Sequence, residues 1–295
     1  MDLNNVGIFL RVADRKSFTL AARDLRLSPS SVSKHIQELE NELGATLLVR
    51  STRRLSLTEA GEAFYQRCTS AIHELDQAQS AISSLYGRPA GTLRVSAALG
   101  FGETVITPLI PHFLAENPDL RLSLKLNAER VNLVEEGMDV VIRAGPELDT
   151  RLEHRDLVPI QHRICASPDF LKKHGRPAQP RDLERFNCLT HPIYAAKIWN
   201  FQDGGRDIAV RVNGCYEVNS SQALREAALV GLGIVRIPAY IVRQDLASGR
   251  LLALFEASTI TTQMMRAFYA RAKHLPAKIP VFLDFLDREI RQANG

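Results

Sequence analysis

A set of polar side chains at helical spacing, and two adjacent arginines after it, are the residues best suited to contact another molecule. The polar set recurs at steps of three, one and three, which places it on one face of a helix: Ser30, Ser33, Lys34 and Gln37. The arginine pair is Arg53 and Arg54. Short or flexible hydrogen-bonding groups on one helical face suit the base edges and phosphates of a DNA major groove. The chemistry indicated is recognition of a nucleic acid.

The helix that carries this polar face has clear start and stop signals. Ser28 is a suitable N-cap, with Ser31 in the first turn, and Pro29 suits the first helical position. Gly44 is a suitable C-terminal stop. The apolar residues recur at steps of four, three and four and are expected to face inward: Val32, Ile36, Leu39 and Leu43. A polar outer face is common to all surface helices, so this helix alone leaves a solvated face as an equal alternative.

The preceding segment favours the DNA-binding interpretation. Residues 18–25 predict a helix with Phe18, Ala21, Ala22 and Leu25 on one face. The small alanines allow a crossing helix to approach closely, and Arg26 and Leu27 form a short connection. Helix, short turn and polar-faced helix together predict a helix-turn-helix.

A basic hairpin is expected next. Residues 47–50 and 55–58 read as two short strands, joined by Ser51, Thr52, Arg53 and Arg54. Adjacent arginines at a hairpin tip suit a narrow, electronegative minor groove, and Arg50 is expected to touch phosphate. The alternative is a basic turn that contacts solvent alone.

A long helix follows, with Thr58 as its cap and Glu59 and Glu62 near its positive end. Its apolar residues alternate steps of four and three for three heptads, which favours a coiled-coil seam: Phe64, Cys68, Ala71, Leu75, Ala78, Ile82 and Leu85. The alternative is packing on the protein's own core. Residues 87–91 predict a hinge. Pairing through the seam would present two recognition helices to two half-sites of a two-fold DNA operator.

At this point the chain resembles the LysR-type transcriptional regulators. The resemblance is carried by SFTLAARDL, SPSSVSKHIQELENELG, LLVRSTRRLSLTEAG and GTLRVSA, and it covers essentially the whole chain. It implies that the recognition helix begins near Pro29 and that the wing arginine lies near Arg53. It also implies a linker helix and a homotetramer. One departure is Leu48-Val49 where the family usually has Leu-Phe, an apolar exchange that affects packing.

Charge and length agree with this interpretation. The 295 residues suffice for about two domains, and the net charge is +4. Residues 1–58 hold nine Lys or Arg and six Asp or Glu, an excess of three cations, whereas the remainder has an excess of one. The positive charge is therefore concentrated where phosphate neutralisation would need it.

Targeting and cysteine signals favour a reduced cytoplasmic protein. The acidic start MDLNN lacks the basic and apolar regions of a signal peptide, and the apolar stretch 227–235 is far shorter than the roughly 20 residues of a membrane helix. The four cysteines lack zinc-like spacing: Cys68, Cys165, Cys188 and Cys215. We expect no metal, no cofactor and no membrane contact.

The remainder alternates strand and helix, which predicts parallel α/β sheets. Expected strands and helices lie at 93–98, 101–115, 120–126, 131–136 and 139–143, then at 163–166, 208–212, 223–229 and 234–237, and finally at 267–270 and 279–290. The last pair is expected to return and complete the first sheet. Two such lobes resemble periplasmic solute-binding proteins. The predicted fold class is α/β: a winged helix-turn-helix and long linker helix, then a two-lobed periplasmic-binding-protein-like effector domain.

The expected domains are residues 1–58 for DNA binding, 59–87 for the dimerising helix and 88–295 for the effector domain. Lobe I spans about 91–161 and 267–295, and lobe II about 162–266. Ligands of open α/β sheets lie beyond the carboxyl ends of strands, near helix N-termini. The predicted effector residues are Ala98, Leu99, Gly100, Phe101, Arg143, Ala144, His191, Pro192, Asn219 and Ser220.

Within this predicted site, Arg143 would neutralise an anion, or else form a structural salt bridge. The loop AALGF lacks the Ser or Thr that often begins this helix in the family, so a carboxylate there would rely on backbone N–H groups. Leu99 and Phe101 would favour an aromatic or partly apolar ligand.

Three functional hypotheses follow. The first is an oligomeric DNA-binding regulator, not an enzyme, whose cleft ligand alters the relation between its DNA-reading heads; we expect RNA polymerase as a further partner. The second is the same scaffold switched by oxidation of Cys188 and Cys215, although two buried inert thiols are expected instead. The third is a nucleotide-dependent enzyme. Gly100 and Gly102 follow a strand, but position 105 is Val105, and a lone GxG is a weak signal.

Overall fold

The computed structural model divides the chain into two compact units, Met1–Ile82 with Asn132–Met138, and Ser83–Val131 with Asp139–Gly295. It describes residues 2–50, 55–85, 89–128, 132–133, 135–145, 151–194, 196–203, 206–255, 263–272 and 275–294. At residues 50, 73, 76–85, 203, 206 and 293–294 it describes the backbone alone. The domain limits expected from the sequence stay predictions.

The first unit is a winged helix. Its elements are α1 Leu3–Arg15, α2 Phe18–Leu25, α3 Pro29–Leu43, β1 Leu48–Arg50, β2 Leu55–Leu57 and α4 Glu59–Leu85. Helix α1 was not predicted from the sequence; Asp2 caps it, and its Phe9 and Val12 are completely buried. α2 has the predicted limits. Ala21 and Ala22 are buried, and their small size lets α1 and α3 pack closely on α2.

The turn between α2 and α3 is made by Arg26, whose φ of 56° is left-handed, and the Leu27 N–H donates to the Ala22 carbonyl at 2.9 Å. Of the four residues predicted to face inward from α3, three are buried. Leu43 is 37% exposed, so that prediction is wrong. Leu43 lies next to Gly44, where the helix ends, and the last turn projects beyond the core.

The second unit contains two larger sheets and a hairpin. Its strands are β3 Gly91–Ala98, β4 Leu120–Asn127, β5 Val140–Ala144, β6 Leu152–Ile160, β7 His162–Ala166, β8 Cys188–Leu189, β9 Ile198–Asp203, β10 Arg206–Arg211, β11 Ile234–Pro238, β12 Leu252–Leu254 and β13 Gln263–Ala270. The sheet orders are β4-β3-β5-β13-β6, β12-β7-β11-β8 and β10-β9. Four strands were not predicted from the sequence: β6 and β9 interleave polar residues with apolar ones, and β8 and β12 are only two and three residues long.

The sheets are mixed and not parallel as expected. In the first sheet β3, β4 and β5 run parallel, but β13 is antiparallel to both β5 and β6. In the second, β11 is antiparallel to β7 and parallel to β8. The antiparallel β13 is the strand that returns to the first sheet, as predicted, although it begins at Gln263 and not at position 267.

The helices that cover these sheets are α5 Leu99–Phe101, α6 Ile110–Glu116, α7 Pro168–His174, α8 Ser221–Leu229, α9 Ala239–Ala247 and α10 Lys278–Asn294. Helices α8 and α10 were predicted from the sequence, whereas α7 and α9 were not. Phe282 and Leu286 of α10 are buried on the first sheet.

The single helix predicted over 101–115 is instead a helical run that changes type. It passes from α5 through a π-helix, Gly102–Ile106, and a 3-10 turn, Thr107–Leu109, before α6. Pro108 and Pro111 lack N–H groups and cannot continue a regular ladder. The Thr107 hydroxyl donates to the Gly102 carbonyl at 2.8 Å. A π-helical turn of this kind is frequent at functional sites.

Residues 132–133 and 135–137 form a turn, so the short helix predicted over 131–136 is wrong for the described part. The Glu136 N–H donates to the Asn132 carbonyl at 3.0 Å, and the Met138 N–H to the Leu133 carbonyl at 2.9 Å. None of the described helices combines the length and apolarity that a bilayer crossing requires.

Candidate nucleic-acid interface and effector cleft

The recognition helix α3 is fixed at both ends. The Ser28 hydroxyl accepts a hydrogen bond from the Ser31 N–H at 3.1 Å, and Gly44 ends the helix with a φ of 65°. The inward face is anchored by Val32 and Leu39, each 0% exposed. Packing of this inward face on the core fixes the orientation of α3. The opposite face of the helix therefore points to solvent.

The predicted DNA-binding residues of α3 lie together on this outer face. Five are exposed, Ser28, Pro29, Ser30, Lys34 and Gln37, and two are half-buried, Ser31 and Ser33. The Ser28 and Ser30 hydroxyls share a hydrogen bond of 2.9 Å, and Lys34 Nζ lies 3.8 Å from Glu38 Oε1. The face combines hydroxyl, amide and ammonium groups that can reach a groove or a backbone.

The wing is an antiparallel pair in which Leu48 lies opposite Leu57 and Arg50 opposite Leu55. The strands are one residue shorter at their outer limits than predicted. The Arg50 side chain, together with Arg53 and Arg54, lies outside what the structure describes. Their roles stay predictions.

Glu40 joins the recognition helix to the wing, and the sequence analysis missed it. Its Oε1 accepts hydrogen bonds from the Leu47 N–H at 2.7 Å and the Leu48 N–H at 3.1 Å. A glutamate at the solvent margin of an amphipathic helix reads as surface in the sequence. No spacing rule points from it to backbone groups seven and eight residues away.

The start of α4 is capped as predicted. The Thr58 Oγ1 accepts from the Gly61 N–H at 2.9 Å and donates to the Thr46 carbonyl at 2.7 Å. Gly61 packs against the Leu47 carbonyl so closely that a Cβ would overlap it. The residue before β1 and the first turn of α4 therefore lie in direct backbone contact.

The predicted coiled-coil seam divides into two parts. Phe64 contacts Phe9 with ring centroids 5.5 Å apart, and Cys68 is buried in the same core, so these two positions pack on the protein itself. Ala71 and Leu75 are exposed, Leu75 by 57%. The side chains of Ala78, Ile82 and Leu85 lie outside the described part.

A cleft of about 480 Å³ lies in the second unit. Eight of the predicted effector residues line it: Ala98, Leu99, Gly100, Phe101, Arg143, Ala144, His191 and Asn219. Two do not. Pro192 is exposed beside the cleft lining, and the Ser220 hydroxyl caps α8 by accepting from the Ala223 N–H at 3.3 Å. Ser221, the next residue, lines the cleft in its place.

Arg143 projects from the carboxyl end of β5. Its guanidinium donates to the Ile142 carbonyl at 2.9 Å, to the Ser96 hydroxyl at 3.2 Å and to the Asn127 side-chain oxygen. These three acceptors carry no charge. They help to hold the guanidinium in one orientation at the cleft wall.

The opposite wall is a cluster that the sequence analysis found only in part. Tyr194 stacks on His191 with ring centroids 3.9 Å apart and lies 5.1 Å from the His162 ring. The Tyr194 hydroxyl shares a hydrogen bond of 2.9 Å with the Ser221 hydroxyl. The backbone carbonyl of Tyr194 accepts a hydrogen bond from the Arg236 guanidinium at 3.1 Å. These residues come from strands and loops far apart in the chain, so no local pattern shows that they meet.

Both histidines of this wall are held uncharged. Burial, and then the positive charges of Arg236 and His191, lower the pKa of His162 to about 3. Burial lowers the pKa of His191 to about 4, although a hydrogen bond with the Asn219 backbone acts in the opposite direction and raises this pKa. At neutral pH these rings offer hydrogen-bonding nitrogens without charge.

The cysteines differ in exposure. Cys68, Cys165 and Cys188 are buried, whereas Cys215 is exposed, so the expectation of two buried thiols is wrong for Cys215. Burial raises the pKa of Cys165 and of Cys188 to about 12. Among the described residues, no group of three or more His, Cys, Asp and Glu side chains is placed to hold a metal.

The fold places this chain among transcriptional regulators that combine a DNA-binding winged helix with a substrate-binding α/β domain. Residues 3–62 match the family described as bacterial regulatory helix-turn-helix protein, lysR family, and residues 86–291 match the LysR substrate binding domain. The chain belongs to the LysR family of bacterial transcriptional regulators. The predicted family and fold class are confirmed, and the family is one of regulators and not of enzymes.

Relatives match over nearly the whole length. The HTH-type transcriptional regulator CrgA of Neisseria meningitidis serogroup C is 33% identical over 286 residues, which cover 96% of this chain and 95% of the relative. The solved structure of CrgA from Neisseria meningitidis has a TM-score of 0.64 at 32% identity, covering 98% of this chain and 99% of that one. The full-length Vibrio cholerae virulence activator AphB has a TM-score of 0.66 at 26% identity, covering 97% and 98%.

Proposed function

We propose that this regulator reads a specific DNA sequence with α3 and the wing. The observation that carries the proposal is the exposed polar face of a helix whose opposite face is buried at Val32, Ile36 and Leu39. The residues assigned to DNA are Ser28, Pro29, Ser30, Ser31, Ser33, Lys34, Gln37, Arg50, Arg53 and Arg54. Serine, lysine and glutamine on α3 suit base edges and phosphates in the major groove, and the wing arginines suit the minor groove.

The second unit is proposed to sense a small molecule, either an organic anion or an aromatic metabolite. The ligand would occupy the cleft lined by Leu99, Arg143 and His191, and would change the geometry in which the oligomer binds its promoter. The cleft volume lies in the usual range for small-molecule sites. Because a ligand shifts an equilibrium only through different affinities for two states, the effector must bind one arrangement of the oligomer better.

We further propose a homodimer through α4, assembled into a homotetramer, that binds a two-fold operator and contacts RNA polymerase in the cytoplasm. The exposed Ala71 and Leu75 on α4 support the seam. Burial of an exposed leucine against a second copy of the same helix would stabilise the dimer. The packing of Phe64 and Cys68 on the protein's own core confines the seam to positions from Ala71 onward.

Genome-wide footprinting of the purified full-length protein tests the DNA-binding proposal. We expect protection of discrete sites with two-fold related halves spaced about one or two helical turns apart. The functions of the genes beside those sites would then indicate in which metabolic process the effector takes part. Uniform, weak protection over the genome would contradict sequence-specific recognition.

The thiol-switch alternative has weaker physical support. The raised pKa of Cys188 keeps that thiol protonated, and a thiolate is the form that oxidises readily. Cys215 is exposed, and its N–H donates to the Asn187 side chain at 2.9 Å. A double Cys188→Ser, Cys215→Ser variant that keeps its transcriptional response would dispose of this alternative, and loss of the response would favour it.

A further inference from the structure

We propose that the second unit has another ligand site, apart from the cleft, for a planar aromatic molecule that carries a phosphate group, such as a nucleoside monophosphate. The site is a surface cavity of about 590 Å³, lined by residues of α7, of the chain after it and of a 3-10 turn, Pro180–Arg185. It shares none of its lining residues with the cleft. A ligand here would therefore bind independently of the proposed effector.

The walls of this cavity are held in place by the chain itself. The Gly175 N–H donates to the Leu171 carbonyl at 3.0 Å, and the φ of 86° at Gly175 turns the chain away from α7. Asp182 Oδ2 accepts hydrogen bonds from the Ala178 N–H at 2.9 Å and the Gln179 N–H at 3.0 Å. These bonds join the 3-10 turn to the segment before it. The cavity is therefore formed before any ligand binds, which lowers the entropic cost of binding.

One wall of the cavity offers an aromatic surface. The Phe170 and His174 rings lie with centroids 4.6 Å apart and planes inclined by 31°, and the Phe186 ring lies 6.4 Å from that of Phe170. Phe170 is buried, whereas His174 is exposed and Leu232 is 41% exposed. A planar ligand that stacks on His174 and covers Leu232 would remove apolar surface from water.

The chain around the cavity is strongly basic. Residues 172–185 hold five Lys or Arg and two Asp or Glu, an excess of three cations, whereas all residues after position 58 together have an excess of one. The lining itself contains two arginines, Arg176 and Arg185, and one carboxylate, that of Asp182. Asp182 interacts with Arg185 and with two backbone N–H groups, so it opposes an anion less than an unpaired carboxylate would. The cavity therefore favours an anionic ligand.

Arg176 is the group best placed to bind a phosphate. Its guanidinium donates to the uncharged Ala253 carbonyl at 2.9 Å, and among the residues that the structure describes no carboxylate forms an ion pair with it. A guanidinium has further N–H donors in a planar fork, which match the oxygens of a phosphate. A phosphate monoester carries about two negative charges at neutral pH, so it gains more from two arginines than a carboxylate does.

Calorimetric titration of the full-length protein with adenosine monophosphate (AMP), adenosine and inorganic phosphate tests this site. We expect AMP to bind with a Kd of about 1 mM or less, and the other two at least about tenfold more weakly, because each lacks half of the proposed contacts. Arg176→Gln should weaken AMP binding about fivefold or more and so reduce its advantage over adenosine. Arg121→Gln, at an exposed position of β4, is the matched control and should change neither affinity.

Two further variants separate the contributions of the ring and the charge. His174→Ala should weaken both AMP and adenosine, since it removes the stacking surface. Arg185→Gln provides a second exposed position at which loss of a cation should weaken AMP, should Arg176→Gln fail to fold. Thermal unfolding of each variant shows whether it is folded.

Several results would overturn the site. One is the absence of any heat with AMP at about 10 mM. Another is an AMP affinity that stays the same in folded Arg176→Gln and Arg185→Gln. Loss of AMP binding in Lys34→Ala or Arg143→Gln, but not in Arg176→Gln, would place the nucleotide on the outer face of α3 or in the cleft. A hexaglutamate peptide that binds as tightly as AMP would show that the basic chain attracts acidic peptides in general, which would also contradict a site for a ring with a phosphate.

Discussion

Glu40 of the recognition helix accepts a 2.7 Å hydrogen bond from the backbone N–H of Leu47, where the chain enters the wing. The Leu47 carbonyl in turn accepts from the Thr58 N–H at 2.9 Å, at the cap of α4. One carboxylate thus connects the helix proposed to read bases with the hairpin proposed to enter the minor groove, and through Leu47 with the long helix. The two elements proposed to contact DNA are therefore linked through Glu40.

Substitution of Glu40 therefore affects stability and DNA affinity together. Glu40→Ala leaves two backbone N–H groups without their acceptor, and we expect a loss of about 1–3 kcal/mol in the free energy of unfolding. Glu40→Gln keeps an acceptor oxygen but loses the charge, so its loss should be smaller. Chemical denaturation and fluorescence anisotropy on an operator fragment measure both. Equal stability of wild type and Glu40→Ala would show that the wing is positioned by other contacts.

Lys34 has a side chain that is 77% exposed and paired only loosely with Glu38 across 3.8 Å. If it neutralises a phosphate, Lys34→Ala should weaken binding to all sequences and reduce the salt slope of log affinity by about 1 per bound subunit. Lys172→Ala, at an exposed position of α7, is the matched control. A slope that does not change in Lys34→Ala would exclude the phosphate contact.

The helix-turn-helix could be predicted nearly residue by residue because its signals are local. Ser28, Pro29 and Gly44 act within one turn of where they stand, and the spacing of Val32, Ile36 and Leu39 fixes the buried face. The failure at Leu43 arose because periodicity cannot show where the supporting core ends. Glu40 was missed for a related reason, since its partners are backbone groups beyond the helix.

The cleft was predicted less completely because it is assembled from distant segments. Strand ends such as Ala98 and Arg143 follow from the rule for open α/β sheets. His162 and Tyr194 lie 32 residues apart in the chain, and their ring contact depends on how β7 and the loop after β8 meet. The mixed sheet direction was also inaccessible, because alternation of strand and helix does not reveal that β13 returns antiparallel.

A buried ion pair ties the last helix to the first sheet. Lys278 Nζ donates to Asp139 Oδ2 at 2.8 Å and to the Thr92 carbonyl at 2.7 Å, and both charged side chains are 0% exposed. Lys278→Met removes the positive charge of Lys278 from beside the buried Asp139 carboxylate, so we expect a loss of about 3–5 kcal/mol in unfolding free energy.

Two further variants distinguish this loss from a general packing effect. The double variant Lys278→Met, Asp139→Leu should recover much of the stability, since a buried pair replaced by apolar residues is often neutral. Arg288→Ala, which removes an exposed pair with Glu116, should cost less than about 1 kcal/mol. Denaturant unfolding followed by circular dichroism measures all three, and a loss for Lys278→Met no larger than that for Arg288→Ala would refute the assignment.

His162 predicts how stability depends on pH. Its pKa is about 3 in the folded protein, against about 6.5 in an unfolded chain, so the unfolded state binds more protons between these values. Stability therefore falls as the pH falls below about 6.5, by about 2 kcal/mol from this group between pH 7 and pH 5. Burial is the main cause of this lowered pKa, with further contributions from the charges of Arg236 and His191, and burial lowers the pKa of His191 as well.

Unfolding curves at several pH values check this prediction. His162→Phe should reduce the slope of stability against pH between 5 and 7, because the aromatic ring that replaces it does not titrate. His154→Asn, at an exposed position, serves as the control. If the slope stays the same in His162→Phe, burial of His162 does not limit stability in acid.

The central claim is sequence-specific reading of DNA by the outer face of α3, and the ratio of two affinities tests it most directly. The full-length protein is titrated with a genomic fragment recovered by footprinting and with random duplex of equal length, at one moderate salt concentration. We predict a preference of about 10³-fold or more for the recovered fragment, lost in a Ser30→Ala, Lys34→Ala, Gln37→Ala variant that remains folded. Equal affinity of the wild-type protein for both duplexes would contradict the claim.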